Sequence, residues 1–179
     1  RRAKGEGSNG QVMGLFEPSH MQFEADRAND PAGEPSLLEM TQFALAEMQK
    51  ADQGYFLLIE AGRIDHAHHG SNAYRALVDT VALSEAVQWV TDHVDLSDTL
   101  ILVTADHSHT MTISGYPRRG NPILGLVETQ PGRLAKDATG LPYTTLSYAN
   151  GGGYRKRRPD LTEVDTAALD YQQLSTVPM

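Results

Sequence analysis

Two short stretches gather the residues that could do chemistry: Glu60-Ala-Gly-Arg-Ile-Asp65-His66-Ala-His68-His69 and, further along, Thr104-Ala-Asp106-His107-Ser-His109. Of the seven histidines in the chain, those at 66, 68, 69, 107 and 109 lie here. Carboxylate oxygens and imidazole nitrogens are the ligands that divalent zinc and magnesium take, so metal-dependent hydrolysis is the first chemistry to consider. Asp65 and His69 are four positions apart, which on a helical turn sets both on one side, where they can share an ion. The alternative is a solvated polar loop. Asp106 and His107 are adjacent and can converge on an ion from a non-helical turn, although a lone Asp-His pair more often caps a backbone or forms a surface ion pair. Glu60 offers a hard oxygen suited to magnesium, or else a partner for Arg63. His66, His68 and His109 read either as groups that orient ligands and reach substrate through water, or as satisfied structural histidines.

Both stretches need elements that bring them together. Each follows an apolar run, Gly54-Tyr55-Phe56-Leu57-Leu58-Ile59 and Thr99-Leu100-Ile101-Leu102-Val103. Continuous rather than alternating apolar residues predict strands covered on both faces in a largely parallel sheet. Between them Ser71 is placed to cap a long helix in which Tyr74, Leu77, Val78, Val81, Ala82, Ala86, Trp89 and Val90 recur at helical spacing. A strand, helix, strand unit puts both carboxyl ends on one edge, where sites of open α/β sheets lie. Upstream, Ser36-Leu37-Leu38-Glu39 fits a capping box for a helix with Leu37, Met40, Ala44 and Met48 on one face. Val12 to Phe16 reads as a brief strand, Ser19 to Pro35 as a loop, Met111 to Leu126 as irregular or hairpin structure, and Tyr143 to Tyr148 as one more strand.

Composition narrows the class. The chain has 179 residues, 40% of them apolar, enough for one sizeable core. A formal charge of -8 and a pI near 5.3 argue against nonspecific nucleic-acid binding. The basic run Arg155-Lys156-Arg157-Arg158 lacks interleaved aromatics and reads as a solvated loop, and Gly151 to Gly153 lack the Lys-Ser/Thr pair of a phosphate loop. With no cysteine, zinc can be held only by His, Asp or Glu, a set that leans to catalysis. No signal-peptide pattern and no apolar run of roughly 18 residues, the length that reads as a membrane span, occurs. The chain opens without Met and stops at Val177-Pro178-Met179, so it is read as a fragment.

The same residues resemble alkaline phosphatases. The likeness runs through Gly14-Leu15-Phe16-Glu17-Pro18, the two ligand stretches, Tyr74-Arg75-Ala76-Leu77, Gly115-Tyr116-Pro117-Arg118-Arg119-Gly120 and Arg158-Pro159-Asp160, and its flavour is animal-type. It implies part of a three-layer α/β/α domain, truncated at both ends, of an enzyme that hydrolyses phosphate monoesters through a phosphoserine at two zinc ions and one magnesium. It also implies Asp65 and His69 as ligands of the first zinc, Asp106 and His107 as ligands of the second, and Glu60 as a magnesium ligand. His66 falls where the family carries Lys or His near phosphate and magnesium. The Phe16 carbonyl, Glu17 and Glu34 correspond to a calcium site of animal-type members. By the same resemblance the full-length protein is a secreted or periplasmic homodimer.

No Asp-Ser-Ala segment supplies the family's nucleophile, and its phosphate-binding Arg belongs to sequence upstream, so no catalytic residue is assigned here. A further His ligand of the first zinc is expected beyond Gln172-Gln173-Leu174, which leaves each zinc two protein ligands where a catalytic zinc takes three. The isolated chain is therefore expected to bind metal poorly and to be inactive. Two other readings stand beside this one: another metallo-hydrolase of the same superfamily, such as a phosphodiesterase or phosphomutase, and a non-catalytic metal- or phosphate-binding module.

Overall fold

The computed structural model describes residues 11–149 together with 160 and 161. Gly151 to Gly153, the basic run 155–158, Pro159 and the segment 172–179 lie outside the described residues. Among the described residues four helices come first: α1 (Glu24–Arg27), α2 (Leu37–Met48), α3 (Arg63–His69) and α4 (Ala73–His93). Four short strands follow, β1 (Met111–Ile113), β2 (Glu128–Gln130), β3 (Arg133–Leu134) and β4 (Leu146–Tyr148). They make two antiparallel two-stranded sheets, β1 with β4 and β2 with β3. Among the described residues this is helix and sheet together, and they do not show the three-layer α/β/α arrangement expected.

Helix α4 is the hub, and α1, α2 and α3 all pack on it. Its buried positions are mostly small, Ala73, Ala76, Ala82 and Ala86, which lets neighbouring backbones come close. Helix α2 starts as its sequence predicts. Ser36 Oγ accepts from the Glu39 amide at 3.1 Å and Glu39 Oε2 accepts from the Ser36 amide at 2.7 Å, a cap of the kind worth about 1 kcal/mol. Its enclosed residues, however, are Thr41 and Leu45; Leu37, Met40 and Ala44 are half-buried and Met48 is exposed.

The start of α4 also differs. Asn72, not Ser71, is the cap, its Oδ1 accepting from the Arg75 amide at 2.9 Å. Ser71 takes a φ of 54°, the left-handed region that few side chains adopt, and is fully enclosed. The kink there lets α3 fold straight back onto α4.

The carboxyl half builds a wall against that junction. In the β1–β4 ladder Met111 faces Tyr148, Thr112 faces Ser147 and Ile113 faces Leu146, so the strand expected over Tyr143 to Tyr148 forms at its final three residues. Leu146 and Tyr148 point inward and close a cluster with Ala73, flanked by Leu77, Met111 and Leu124. Gly132, at a φ of 72°, closes the β2–β3 hairpin.

The runs 12–16, 54–59 and 99–103 are not strands here: none has a ladder partner among the described residues. The coverage expected on both faces is missing too, with Phe56 86% and Leu102 81% exposed. A strand's own residues declare that it can be buried; which neighbours bury it is a matter of topology.

An acidic group lies inside this helical half. Asp79 on α4 is only 8% exposed and accepts from the Glu24 amide at 3.2 Å, with Glu24, Asp26 and the Arg63 guanidinium as its charged neighbours. Burial pushes its carboxyl up to about 6 against an ordinary 3.8. The folded state thus prefers the protonated form, and the stability tied to it is full below pH 3.8 and lost as pH rises through 6. Asp79→Asn keeps an acceptor for Glu24 and removes the buried charge. Thermal melts are expected to show the variant more stable by about 1–3 kcal/mol at pH 8, with the gain vanishing near pH 4.

Candidate metal centre

Seven residues make a short helix, and α3 is supported by packing on α4, with Ala67 buried. Asp65 sits in its first turn and His66, His68 and His69 in its last, a distribution that complements the helix dipole. The helical spacing read from the sequence is realised: His69 Nε2 lies 3.4 Å from Asp65 Oδ2.

The second stretch reaches the same carboxylate. His107 Nε2 is 3.7 Å from Asp65 Oδ1 and 3.5 Å from Asp106 Oδ2. Asp65 is therefore where the two stretches meet. The Ser108 carbonyl lies 2.9 Å from His107 Nδ1 and can only accept, so Nδ1 keeps its hydrogen and Nε2 is the atom left to bind elsewhere. That carbonyl first, and Asp106 next, raise the affinity of His107 for a proton. A metal taken at Nε2 would displace that proton.

His109 is drawn in as well. Asp65, His69 and His109 each offer a ligand atom, and the three atoms lie within 4.8 Å of one another. The His69 and His109 rings meet edge to face at 5.0 Å. Asp65 Oδ1 is buried and has no hydrogen-bond partner. An orphaned carboxylate oxygen beside two imidazoles is a donor set that fits a divalent ion such as zinc.

The remaining residues divide. His68 lies behind His109, their rings stacked at 5.1 Å, and its Nδ1 is 2.8 Å from the Tyr148 hydroxyl. Burial pushes the Tyr148 phenol up to about 12, and burial followed by His109 lowers His68, so the phenol donates to a neutral imidazole. Tyr148 was missed from sequence; its signal was the inward alternation of Leu146 and Tyr148 on the last strand. His66 turns instead to His20, at a ring distance of 4.3 Å, and to Arg63 Nη1 at 3.0 Å from its Nδ1. Since guanidinium only donates, His66 accepts there, and burial, His20 and Arg63 together hold it neutral.

Arg63 lies 3.7 Å over the Phe23 ring. Glu60 and Asp106 are both exposed. Neither belongs to a group of three ligand side chains among the described residues, nor do Glu17 and Glu34. Glu34 is buried at 5% exposure; its Oε2 accepts from the Gln22 amide at 2.7 Å and its Oε1 is left without a partner. Phe16 is exposed and Glu17 half-buried.

Compared with known proteins, the alkaline phosphatase family model matches residues 1–179. The chain belongs to the alkaline phosphatase family. It is 43% identical to the tissue-nonspecific alkaline phosphatase isozyme of Gallus gallus over 94% of its own length and 32% of that protein's. To the isozyme of the same name in Homo sapiens it is 41% identical, over 94% of the chain and 31% of the relative. To the membrane-bound alkaline phosphatase of Bombyx mori the identity is 38%, over 94% and 30%. The chain thus spans about a third of the length of the curated relatives it matches. Among its described residues no helix is long and apolar enough to cross a membrane.

Proposed function

We propose that this alkaline phosphatase chain supplies most of the metal-binding half of a phosphate monoester hydrolase. The observation that supports the reading best is Asp65, whose Oδ2 faces His69 and whose Oδ1, buried and without a hydrogen bond, faces His107. Asp65 and His69 would hold one zinc, Asp106 and His107 a second, and Glu60 a magnesium. Bound in this way, paired divalent ions supply Lewis-acid activation of a serine oxygen and then of water, and neutralise phosphoryl charge.

The chain's own part is to preset the ligands. Ser108 keeps the His107 proton on Nδ1, and Tyr148 fixes the tautomer of His68, which in turn backs the His109 ring. The attacking serine, the phosphate-binding arginine and the phosphoserine intermediate are assigned to sequence outside these 179 residues. Glu34, with its orphaned Oε1, is the side chain that best supports a calcium site with Glu17 and the Phe16 carbonyl. The whole protein is read as a secreted or periplasmic homodimer.

The test is hydrolysis by the full-length, zinc- and magnesium-loaded protein. A chromogenic phosphate monoester should be turned over, the diester should be turned over far more slowly, and Asp106→Ala should lower both rate and zinc stoichiometry. Preference for the diester would point to a phosphodiesterase of the same superfamily. A folded, metal-loaded protein without turnover would leave a binding module.

A further inference from the structure

We infer that Arg63 is a positioning residue: lodged on the Phe23 ring, it holds His66 as an imidazole that accepts at Nδ1 and carries its hydrogen on Nε2. The inference rests on the metal-hydrolase reading and goes further, because that reading gives Arg63 no part.

Three elements set the place of Arg63. It opens α3, its guanidinium carbon lies 3.7 Å from the centre of the Phe23 ring, and Asp79 on α4 and Asp26 on α1 are among its charged neighbours. A guanidinium over an aromatic face gains roughly 0.5–2 kcal/mol, more as water is excluded. The ring is itself pinned through the residues around it. The Gln22 amide donates to Glu34 Oε2 at 2.7 Å and the Glu24 amide to Asp79 at 3.2 Å, while Asp26 holds Arg75 at 2.7 Å. Phe23 is thus a fixed platform for the cation.

A buried guanidinium commonly gives its fork to a carboxylate. Arg63 uses it otherwise: Nε is buried without a hydrogen-bond partner, and Nη1 reaches His66 Nδ1 at 3.0 Å. Arginine keeps its hydrogens in a protein, so Nδ1 must accept. A neutral imidazole that accepts at one nitrogen donates at the other, which leaves Nε2 as a donor. Two consequences follow for the centre. A nitrogen that bears hydrogen has no lone pair for a metal, so His66 is kept out of the ligand set although it adjoins Asp65. What His66 can bind instead is an acceptor, and an oxygen of a phosphate monoester is one. The His20 ring, 4.3 Å away and tilted by 56°, packs on His66 and limits its rotation.

The tautomer is read on the 179-residue chain by long-range proton–nitrogen NMR of the imidazoles, with His66→Ala identifying the signal. Wild type should show a single form, with hydrogen on Nε2 and none on Nδ1. Arg63→Met, which can still cover Phe23 but has no donor, should give a mixture, and Arg63→Lys, which has one, should restore the single form. Turnover of a chromogenic phosphate monoester is read on the full-length, zinc- and magnesium-loaded protein. Arg63→Met should lower kcat by about 10–100-fold, the range for partners that orient a site group, and Arg63→Lys should regain part of it. With His66 already Ala, the same change should cost less than about 2-fold, because the group it positions is gone. A hydrogen on Nδ1 in wild type, or an unchanged tautomer in Arg63→Met, overturns the inference. So does an equal fall in kcat with and without His66, which would make Arg63 a support of the fold alone. If the wild-type protein is inactive while the tautomer responds as stated, the hydrolase reading falls and the hold of Arg63 on His66 stands.

Discussion

Replacing Asp65 by Ala is expected to abolish stoichiometric zinc binding, with affinity falling by well over 100-fold, more than loss of an outer contact costs. The reason is its shared position. One carboxylate faces His69 at 3.4 Å and His107 at 3.7 Å, so its removal strips the anion from both histidine groups at once. The metal-free protein should respond in the opposite way. Asp65 Oδ1 is buried without a donor, and deleting an unsatisfied polar atom removes a desolvation cost of about 1–3 kcal/mol. A chemical-denaturation curve of the apo variant should therefore be unchanged or shifted to higher denaturant, while a zinc titration loses its saturating phase. A variant that still takes up zinc stoichiometrically would remove Asp65 from the centre.

The second large effect is on folding. Tyr148→Ala should destabilise the chain by about 3–5 kcal/mol, the range for truncating a buried aromatic. Tyr148 is 1% exposed and, with Leu146 and Ala73, forms the cluster that joins the strands to the start of α4. Tyr148→Phe keeps that packing and removes only the hydroxyl bond to His68, so it should cost about 1 kcal/mol. Urea melts of the two variants separate packing from the hydrogen bond. Equal midpoints for Tyr148→Ala and wild type would mean that β4 does not support the junction.

These effects trace to features of unequal visibility in the sequence. The capping box at Ser36 and the pairing of Asp65 with His69 were legible because both are settled within one helical turn. The cap of α4 was misplaced by one residue. Ser and Asn are equal candidates there, and only the left-handed backbone at Ser71, imposed by folding α3 onto α4, chooses between them. His109 was visible as a histidine, but its meeting with α3 depends on the β1–β4 ladder, whose partners are far apart in sequence. The runs at 54–59 and 99–103 were expected to be covered on both faces, yet their side chains are largely open. Their residue types were read correctly; the neighbours that would cover them are not among the described residues.

Those two runs also govern how the polypeptide behaves at concentration. Tyr55 to Ile59 and Leu100 to Val103 are uncharged, free of Pro and rich in side chains that favour β-structure, the makeup of segments that stack into cross-β assemblies. Each presents its backbone groups without a ladder, as an edge strand does. In a molecule whose formal charge of -8 falls outside these windows, colloidal repulsion has to be supplied by the flanking acidic helices. Raising the ionic strength shortens that repulsion and leaves the apolar attraction intact, so salt should drive the isolated chain toward self-association.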